Sequence, residues 1–569
     1  MISNSKLQMR NLISLLFAII SVTSAISITS ASSTCSSITS PAPCGQSSDS
    51  QERCLSKGCC YDTSKSYPCY YSTGNAVPID TVHVIQASHF DAGFAYTIRD
   101  VLQLWWYTHF PRALSLGLEL EQSVNNPNNN LALHFTAQCW LIDLFFNCPT
   151  NVPGLPCPTS EQIANVTLAI QKGFLTWHAF PFNSEYELHS IGMMNAGIAR
   201  CHALDDQFGF TRKTTASQRD VPGTTRSVIK TLLENNVTVF SNGVNGASTP
   251  PFVPRAFLWQ DSSSGLSLPT LIHPYGYGDI QREDAVIVPG LSHALVFAWR
   301  GDNAGPPTNV AEIASNYATV QQNFPGAKVI FSTFDNFTQH LLVPSVLATL
   351  PIITSELGDT WIHGSGSDPF RLAFFKLCAV KLAACIASKS CSLTDPIIAN
   401  FTRLALKNGE HTWGKDVKTF LHDSTYWTNQ QLESQLAKNA SNFFDIVNSW
   451  IEQRAWGIRY ALEALAGHPL GDDLQTAYNA LRPIGPPDTT GFSPFTAGTL
   501  YNAGRWSLSF DTLTGGIDTL IDTSTITTWA SKKTDGSLLA WPHYLTLSGD
   551  DYAIFTGPEP GMYINSNSD

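Results

Sequence analysis

The sequence predicts an α/β protein: a barrel of (β/α) type, followed by a helical bundle and the start of a β-sandwich, with a small disulfide-rich module ahead of them. Three observations lead there. From Pro78 onward, short apolar runs alternate with longer stretches of helical period. After Pro369 the strand signal gives way to apolar stripes repeating every 3.6 residues. Past Pro494, β-type runs return between glycine-containing turns.

At the N-terminus, Lys6 and Arg10 precede the apolar stretch Leu12 to Ile20, and Ser21 to Ala25 supplies small residues. This predicts a secretory signal peptide over 1–25, too short and wrongly flanked for a membrane span. No later stretch is apolar enough to span a bilayer, so the expected product is secreted, extracellular and without a membrane partner. Five Asn-x-Ser/Thr sequons, at Asn165, Asn236, Asn336, Asn400 and Asn439, agree with export as a glycoprotein. The net charge of −12 with only 14% charged residues argues against nucleic acid as a partner. An aromatic content of 11% in so weakly charged a chain suits a polar, uncharged ligand such as a sugar.

Of 13 cysteines, six fall between Cys35 and Cys69 (Cys35, Cys44, Cys54, Cys59, Cys60 and Cys69), with Gly, Pro and Ser between them. In an exported chain such density marks a stapled module whose own core is too small; zinc ligation by these thiols is the competing reading. The spacing Cys-x8-Cys-x9-Cys-x4-Cys-Cys-x8-Cys, with Arg53 before the third cysteine, resembles the trefoil (P-type) domain, here over 33–73. That resemblance implies the pairs Cys35–Cys60, Cys44–Cys59 and Cys54–Cys69, and a module able to bind carbohydrate. Among the remaining seven, Cys148 with Cys157 closes a Pro-rich loop and Cys385 with Cys391 a helix end; the odd number leaves at least one unpaired.

The predicted barrel spans 78–368. Strand-like runs are Val82–Ile85, Leu131–Phe135, Phe174–Phe180, Val237–Asn242, Ala294–Ala298 and Ala327–Ser332, with helix-like stretches such as Ile98–Phe110, Ser160–Gln171 and Val310–Asn323 between them. No nucleotide-type glycine loop is present, which favours a barrel over an open sheet. The bundle is predicted over 369–468, from Phe370–Ser388, Pro396–Lys407 and Asn429–Ala466. Gly467 to Pro494 reads as a linker, and 490–569 as the start of a β-sandwich, short for a complete one.

Chemistry concentrates in a few blocks. His89-Phe90-Asp91 follows the strand-like run Thr81 to Ser88, at the end where barrel enzymes keep their sites. An imidazole and a carboxylate two residues apart make half of a metal site. The block Val84-Ile-Gln-Ala-Ser-His-Phe-Asp-Ala-Gly-Phe94 resembles the opening strand of glycoside hydrolase family 38, the zinc-dependent α-mannosidases, with departures at Gln86, Ala92 and Phe94. Four further blocks follow in that family's order. Arg219-Asp-Val-Pro-Gly-Thr-Thr-Arg226 resembles its segment bearing a carboxylate that is both zinc ligand and nucleophile, here Asp220. Leu295 to Asn303 resembles the strand leading to its general acid, which falls on Asn303; since an amide cannot donate a proton as an acid does, either Asp302 serves, or the acid lies elsewhere, or the protein is not a mannosidase-type catalyst. Gly358-Asp-Thr-Trp-Ile-His-Gly-Ser-Gly-Ser-Asp-Pro369 resembles the family's substrate loop, with the same Trp-to-Pro distance, which implies Trp361 under the sugar and Asp359 and His363 beside it. Asn408-Gly-Glu-His-Thr-Trp-Gly414 stands where that family carries its fourth zinc ligand, which the resemblance puts on His411, with His363 as competitor. Trp177 and His178, with Glu185 and Glu187, are expected at the rim, touching substrate.

The resemblance covers Val82 to Gly414 and implies a (β/α)7 barrel, a three-helix bundle and a β-sandwich. It implies zinc held by His89, Asp91, Asp220 and His411, and a retaining, α-mannosidase-like hydrolase of glycans with Asp220 and Asp302 as catalytic pair. Two alternatives stay open: a zinc-dependent polysaccharide deacetylase-like enzyme, and a catalytically inactive carbohydrate-binding protein. Serine-triad and P-loop readings have no motif to support them.

Overall fold

The computed structural model describes residues 35–541, apart from 124–129, 247, 275, 417–427, 483–484, 486–487, 494, 533–535 and 537. The signal peptide expected over 1–25 lies outside the described residues. The chain divides into two compact units, one ending at Leu481 and the next beginning at Arg482.

The first unit is mixed α/β. Thr81–Ser88 is buried along nearly its whole length on both faces, as its Val-His-Val-Ile run requires of a central parallel strand. His293–Arg300 pairs with it in parallel, and so do Lys328–Phe331 and Phe135–Ala137; Leu175–Trp177 extends the sheet beyond Phe135–Ala137. A second five-stranded sheet runs in the order Ile352–Ile353, Ala256–Gln260, Ser267–His273, Val239–Val244, Thr215–Asp220. The Ala179 N–H donates to the Thr215 carbonyl (2.8 Å), so the end of one sheet meets the start of the other. Ala256–Gln260 and Ser267–His273 pair antiparallel, a departure from the all-parallel expectation. Their hairpin turn lies in Ser262-Ser-Ser-Gly265, where Gly265 takes a φ of +71°.

Helices cover the sheets. Ser160–Gln171 and Val310–Asn323 fall where periodicity puts them, each opened by a side-chain cap, Thr159 and Asn309. Ile98–Leu104 continues through a π-helical turn, Trp105–His109, into Phe110–Ser123. Ile191–Phe208 was not anticipated; a disulfide ties its Cys201 to Cys139.

The cysteine module packs on the same unit. Its bonds join Cys35–Cys60, Cys44–Cys59 and Cys54–Cys69, the pairs the trefoil resemblance implies. Tyr71 fastens the module to the strand Ala256–Gln260: its hydroxyl donates to the Ala256 carbonyl (3.1 Å) and accepts from the Ala256 N–H (2.7 Å). Cys148–Cys157 and Cys385–Cys391 are also bonded, and Cys378 is free and buried.

The helical part holds Pro369–Ala387, Pro396–Ala405, Asn429–Ala437 and Ser441–Arg454, the last running through a second π-helical stretch, Ala455–Tyr460. The linker expected from Gly467 is corrected: Pro469–Ala480 is a helix of this unit. Gly467, at φ +80°, lies in the turn between the helix Ala461–Glu463 and this one, and Pro469 occupies a first-turn position, where its missing N–H costs nothing. Leu470 and Leu474 are buried, and Tyr478 meets Phe374 edge-on at 5.3 Å.

The second unit is one antiparallel four-stranded sheet, Tyr501–Ala503, Trp506–Phe510, Ile517–Asp522 and Thr527–Ser531 in sequence order. The second sheet a sandwich needs is not among the described residues. No helix among them is long and apolar enough to cross a membrane. Six disulfides fit an oxidising compartment.

Candidate metal centre and active site

Segments far apart in the chain converge where Thr81–Ser88 ends. His89 follows one residue past the strand and Asp91 three, and His89 N–H donates to the Arg300 carbonyl (2.9 Å) of the neighbouring strand. Asp220 closes Thr215–Asp220 at φ +85°, a left-handed backbone that non-glycine residues adopt at a cost of about 1–3 kcal/mol. His411 follows the 3-10 turn Leu406–Gly409, its N–H donating to the Asn183 carbonyl (3.3 Å).

One ligand atom from each of His89, Asp91, Asp220 and His411 lies within 4.8 Å of all the others. His89 Nε2 is 2.8 Å from Asp91 Oδ1 and 3.8 Å from Asp220 Oδ2; His411 Nε2 is 3.1 and 3.5 Å from the same two oxygens. All four side chains are buried except Asp220, which is 13% exposed. Burial by itself drives both imidazoles towards the neutral form. The carboxylates outweigh it: Asp91 and Asp220 hold His89 above its ordinary pKa, and Glu410 with those two holds His411 well above. Burial would raise Asp220, yet His89 and His411 hold it far below the carboxylate range. Two carboxylates aimed at one point in a dry interior demand positive charge there. Asp91 Oδ2 is buried without a hydrogen-bond partner. Two imidazoles and two carboxylates at such spacing fit a divalent, borderline-soft cation.

A second layer sets these groups. Glu410 Oε1 lies 3.0 Å from His411 Nδ1, and its other oxygen pairs with buried Lys407 (2.7 Å), the carboxylate–histidine arrangement that orients a ligand ring. The Asn183 carboxamide donates to the Phe90 carbonyl (3.0 Å) and accepts from the Arg219 N–H (2.9 Å), joining the two ligand-bearing strand ends. Asn303, at φ +50°, donates to the Asp91 carbonyl (3.1 Å), while its Oδ1 accepts from Asp91 N–H (3.3 Å) and Trp105 Nε1–H (3.1 Å). Asn245 Nδ2 and the Tyr277 hydroxyl donate to Asp220 Oδ1 (2.8 and 2.7 Å), and the Tyr277 ring stacks on His89 at 4.6 Å. The same hydroxyl lies 3.3 Å from Asp302 Oδ1. Asp302 sits at the exposed lip; partial desolvation first, then the charge of Asp91, holds its carboxyl above the usual range.

Opposite lies the loop bearing Trp361, whose ring is parallel to His411 (14°, 6.4 Å) and whose Nε1–H donates to Ser248 Oγ (2.8 Å). Asp359 accepts from Trp361 N–H (2.8 Å), and burial pushes its carboxyl up to about 6. Gly223 lets the loop after Asp220 touch this one: a Cβ there would stand 2.0 Å from the Gly358 oxygen. The His363 side chain, the competing ligand, lies outside the described residues.

Comparisons with known proteins bear on different parts of the chain. Residues 365–566 match the model of a domain of unknown function, DUF5054. No match is found among curated proteins. Among solved structures, the chain is similar to an alpha-mannosidase from Enterococcus faecalis V583, at 13% identity and a TM-score of 0.44, covering 70% of this chain and 42% of that one. It is also similar to a protein in the Glycosyl Hydrolase Family 38 from Enterococcus faecalis (14%, TM-score 0.34, 69% and 41% covered) and to a GH57 branching enzyme from Thermococcus kodakaraensis (9%, TM-score 0.40, 70% and 94% covered). The chain spans less than half the length of the first two.

Three of the residues expected at the rim lie in the interior. Trp177 is buried, packed on Phe208 and Phe210 with Lys213 over its ring, because its strand places it in the layer between sheet and helix. His178 is buried as well; its Nδ1 accepts from the Phe180 and Ser217 N–H groups (3.3 and 3.4 Å), and desolvation lowers it to about 3. Glu185 is buried rather than exposed at a rim, and desolvation with the nearby Asp359 raises its carboxyl to about 8. Sequence reading passed over Asn183, Asn245 and Tyr277. Polar residues just after strand-like runs were the available signal, but nothing local distinguishes them from turn residues.

Proposed function

We propose that this chain is a secreted, zinc-dependent glycoside hydrolase that cleaves with retention, α-mannosidase-like in the sugar it takes. Its two sheets then form one (β/α)7-type barrel, and the N-terminal module is a trefoil domain able to bind carbohydrate. The observation that carries this reading is the Tyr277 hydroxyl, shared between Asp220 Oδ1 (2.7 Å) and Asp302 Oδ1 (3.3 Å). Two contacts to one atom keep the carboxyl oxygens within about 6 Å, close to the spacing of retaining enzymes and short of that which admits a water between them.

Asp220, kept ionised by His89 and His411 and steadied by Asn245 and Tyr277, attacks the anomeric carbon as the bond to the leaving oxygen breaks. Asp302, its carboxyl held protonated longer than usual, gives its proton to that oxygen. It then takes a proton from the water that displaces Asp220. A zinc ion held by His89, Asp91, Asp220 and His411 would supply Lewis-acid polarisation and grip neighbouring sugar hydroxyls. Trp361 offers an apolar face for the sugar ring.

The test is metal analysis of the purified protein alongside an aryl-glycoside panel, with and without chelator, for wild type and Asp220→Asn. Bound zinc, chelator-sensitive release of the aglycone, and a fall in kcat of at least about 10³-fold in the variant are expected. Acetate release without glycosidic cleavage would replace the reading with a deacetylase. Glycan binding that survives both chelation and Asp220→Asn, without turnover, would replace it with a binding protein.

A further inference from the structure

The strand that ends at the candidate active site carries another histidine near its start. His83 precedes His89 by six positions, roughly 20 Å at the strand's rise per residue, so the two belong to separate environments. Around His83 stand His293, the first residue of the paired strand His293–Arg300, and His340, in the last turn of the helix Phe334–Leu341. His83 Nε2 is 2.9 Å from His293 Nδ1, and the rings of His293 and His340 stack at 3.8 Å, 15° from parallel. One ring nitrogen from each of the three lies within 4.8 Å of the other two.

We propose that His83, His293 and His340 form a second metal site, which takes a zinc ion with water in the fourth position. Three nitrogens bound at about 2.0–2.1 Å in a tetrahedral arrangement stand a little over 3 Å apart; the His83–His293 pair stands at 2.9 Å, and His340 offers a nitrogen within 4.8 Å of both. Ser332 Oγ, 2.9 Å from His83 Nδ1, occupies the outer nitrogen and turns the other towards the partners, as outer hydrogen bonds do for ligating histidines. Ser332 is itself fixed by its N–H to the Val84 carbonyl (2.9 Å), and the Phe337 ring meets His83 edge-on at 5.6 Å. His83 is buried while His293 and His340 are half-buried, so the cluster is reached from solvent on their side. The ring cluster itself holds no carboxylate. Asp80 adds negative charge near His293.

This site is independent of the proposed hydrolase activity, and its test separates the two. Full-length protein is loaded with zinc, freed of excess and assayed for metal as wild type, His293→Ala/His340→Ala and His89→Ala/His411→Ala. The first variant should carry one equivalent less than wild type while keeping the wild-type rate on any aryl glycoside that is turned over; the second should lose metal separately. Equal zinc in wild type and a folded His293→Ala/His340→Ala protein would overturn the proposal. Cobalt titration of His89→Ala/His411→Ala needs no change at the new site: visible bands of a tetrahedral nitrogen-ligated ion are expected, and their absence would equally overturn it.

Discussion

Asn303 is engaged at both ends of its carboxamide, and this explains an amide where the family resemblance expects an acid. Its Nδ2 donates to the Asp91 carbonyl and its Oδ1 accepts from Asp91 N–H and Trp105 Nε1–H, so the residue positions a candidate ligand. Asn303→Asp removes the donor and sets a carboxylate oxygen against a buried carbonyl. We expect a loss of about 1–3 kcal/mol in urea unfolding and no gain in turnover. Glu185 gives a pH prediction. Its carboxyl, ordinarily near 4.5, titrates at about 8 in the metal-free fold because burial penalises the charged form. The native state therefore binds the proton more tightly than the unfolded chain between those values, and stability falls as pH rises through that window. In chelated protein, thermal unfolding from pH 5 to 8 should show a decline worth a few kcal/mol, on the order that the shift implies, and Glu185→Gln should flatten it. An unchanged decline in the variant would assign the effect elsewhere.

At the scale of elements, irregularities fall where the site needs them. The π-helical turn Trp105–His109 brings two residues of one helix to Asn303: Trp105 to its side chain and His109, through Nε2, to its carbonyl (2.8 Å). The second, Ala455–Tyr460, presents the Gly457 carbonyl to Asn408 Nδ2 (2.7 Å), steadying the turn that leads to His411. Periodicity reads long amphipathic helices and central strands well, as Ser160–Gln171 and Val310–Asn323 illustrate. It misreads Pro469–Ala480, because a proline and a glycine that punctuate two helices look the same as those of a linker. If that helix belongs to the first unit's core, Leu474→Ala should cost about 2–5 kcal/mol in denaturant unfolding. A linker residue would cost almost nothing.

At the scale of the molecule, the disulfides divide by the length of chain they close. Cys139–Cys201 spans a separation of 62 residues and Cys385–Cys391 one of 6. Loop-closure entropy gives about 4 kcal/mol for the first and about 2 kcal/mol for the second. The Cys139→Ala/Cys201→Ala protein should therefore melt well below Cys385→Ala/Cys391→Ala, read by calorimetry under non-reducing conditions.

The sequence by itself determined the alternation of strands and helices, the cysteine module with its spacing, and the candidate ligands His89, Asp91, Asp220 and His411. Residue type and local order carry that information. Only the tertiary structure decided that segments hundreds of positions apart place these four atoms together, and that Asn183, Asn245, Tyr277, Asn303 and Glu410 hold them there. It also moved Trp177 and His178 from rim to interior, and gathered His83, His293 and His340 from two strands and a helix. Convergence of this kind comes from long-range packing, which leaves no local periodicity in the chain to read.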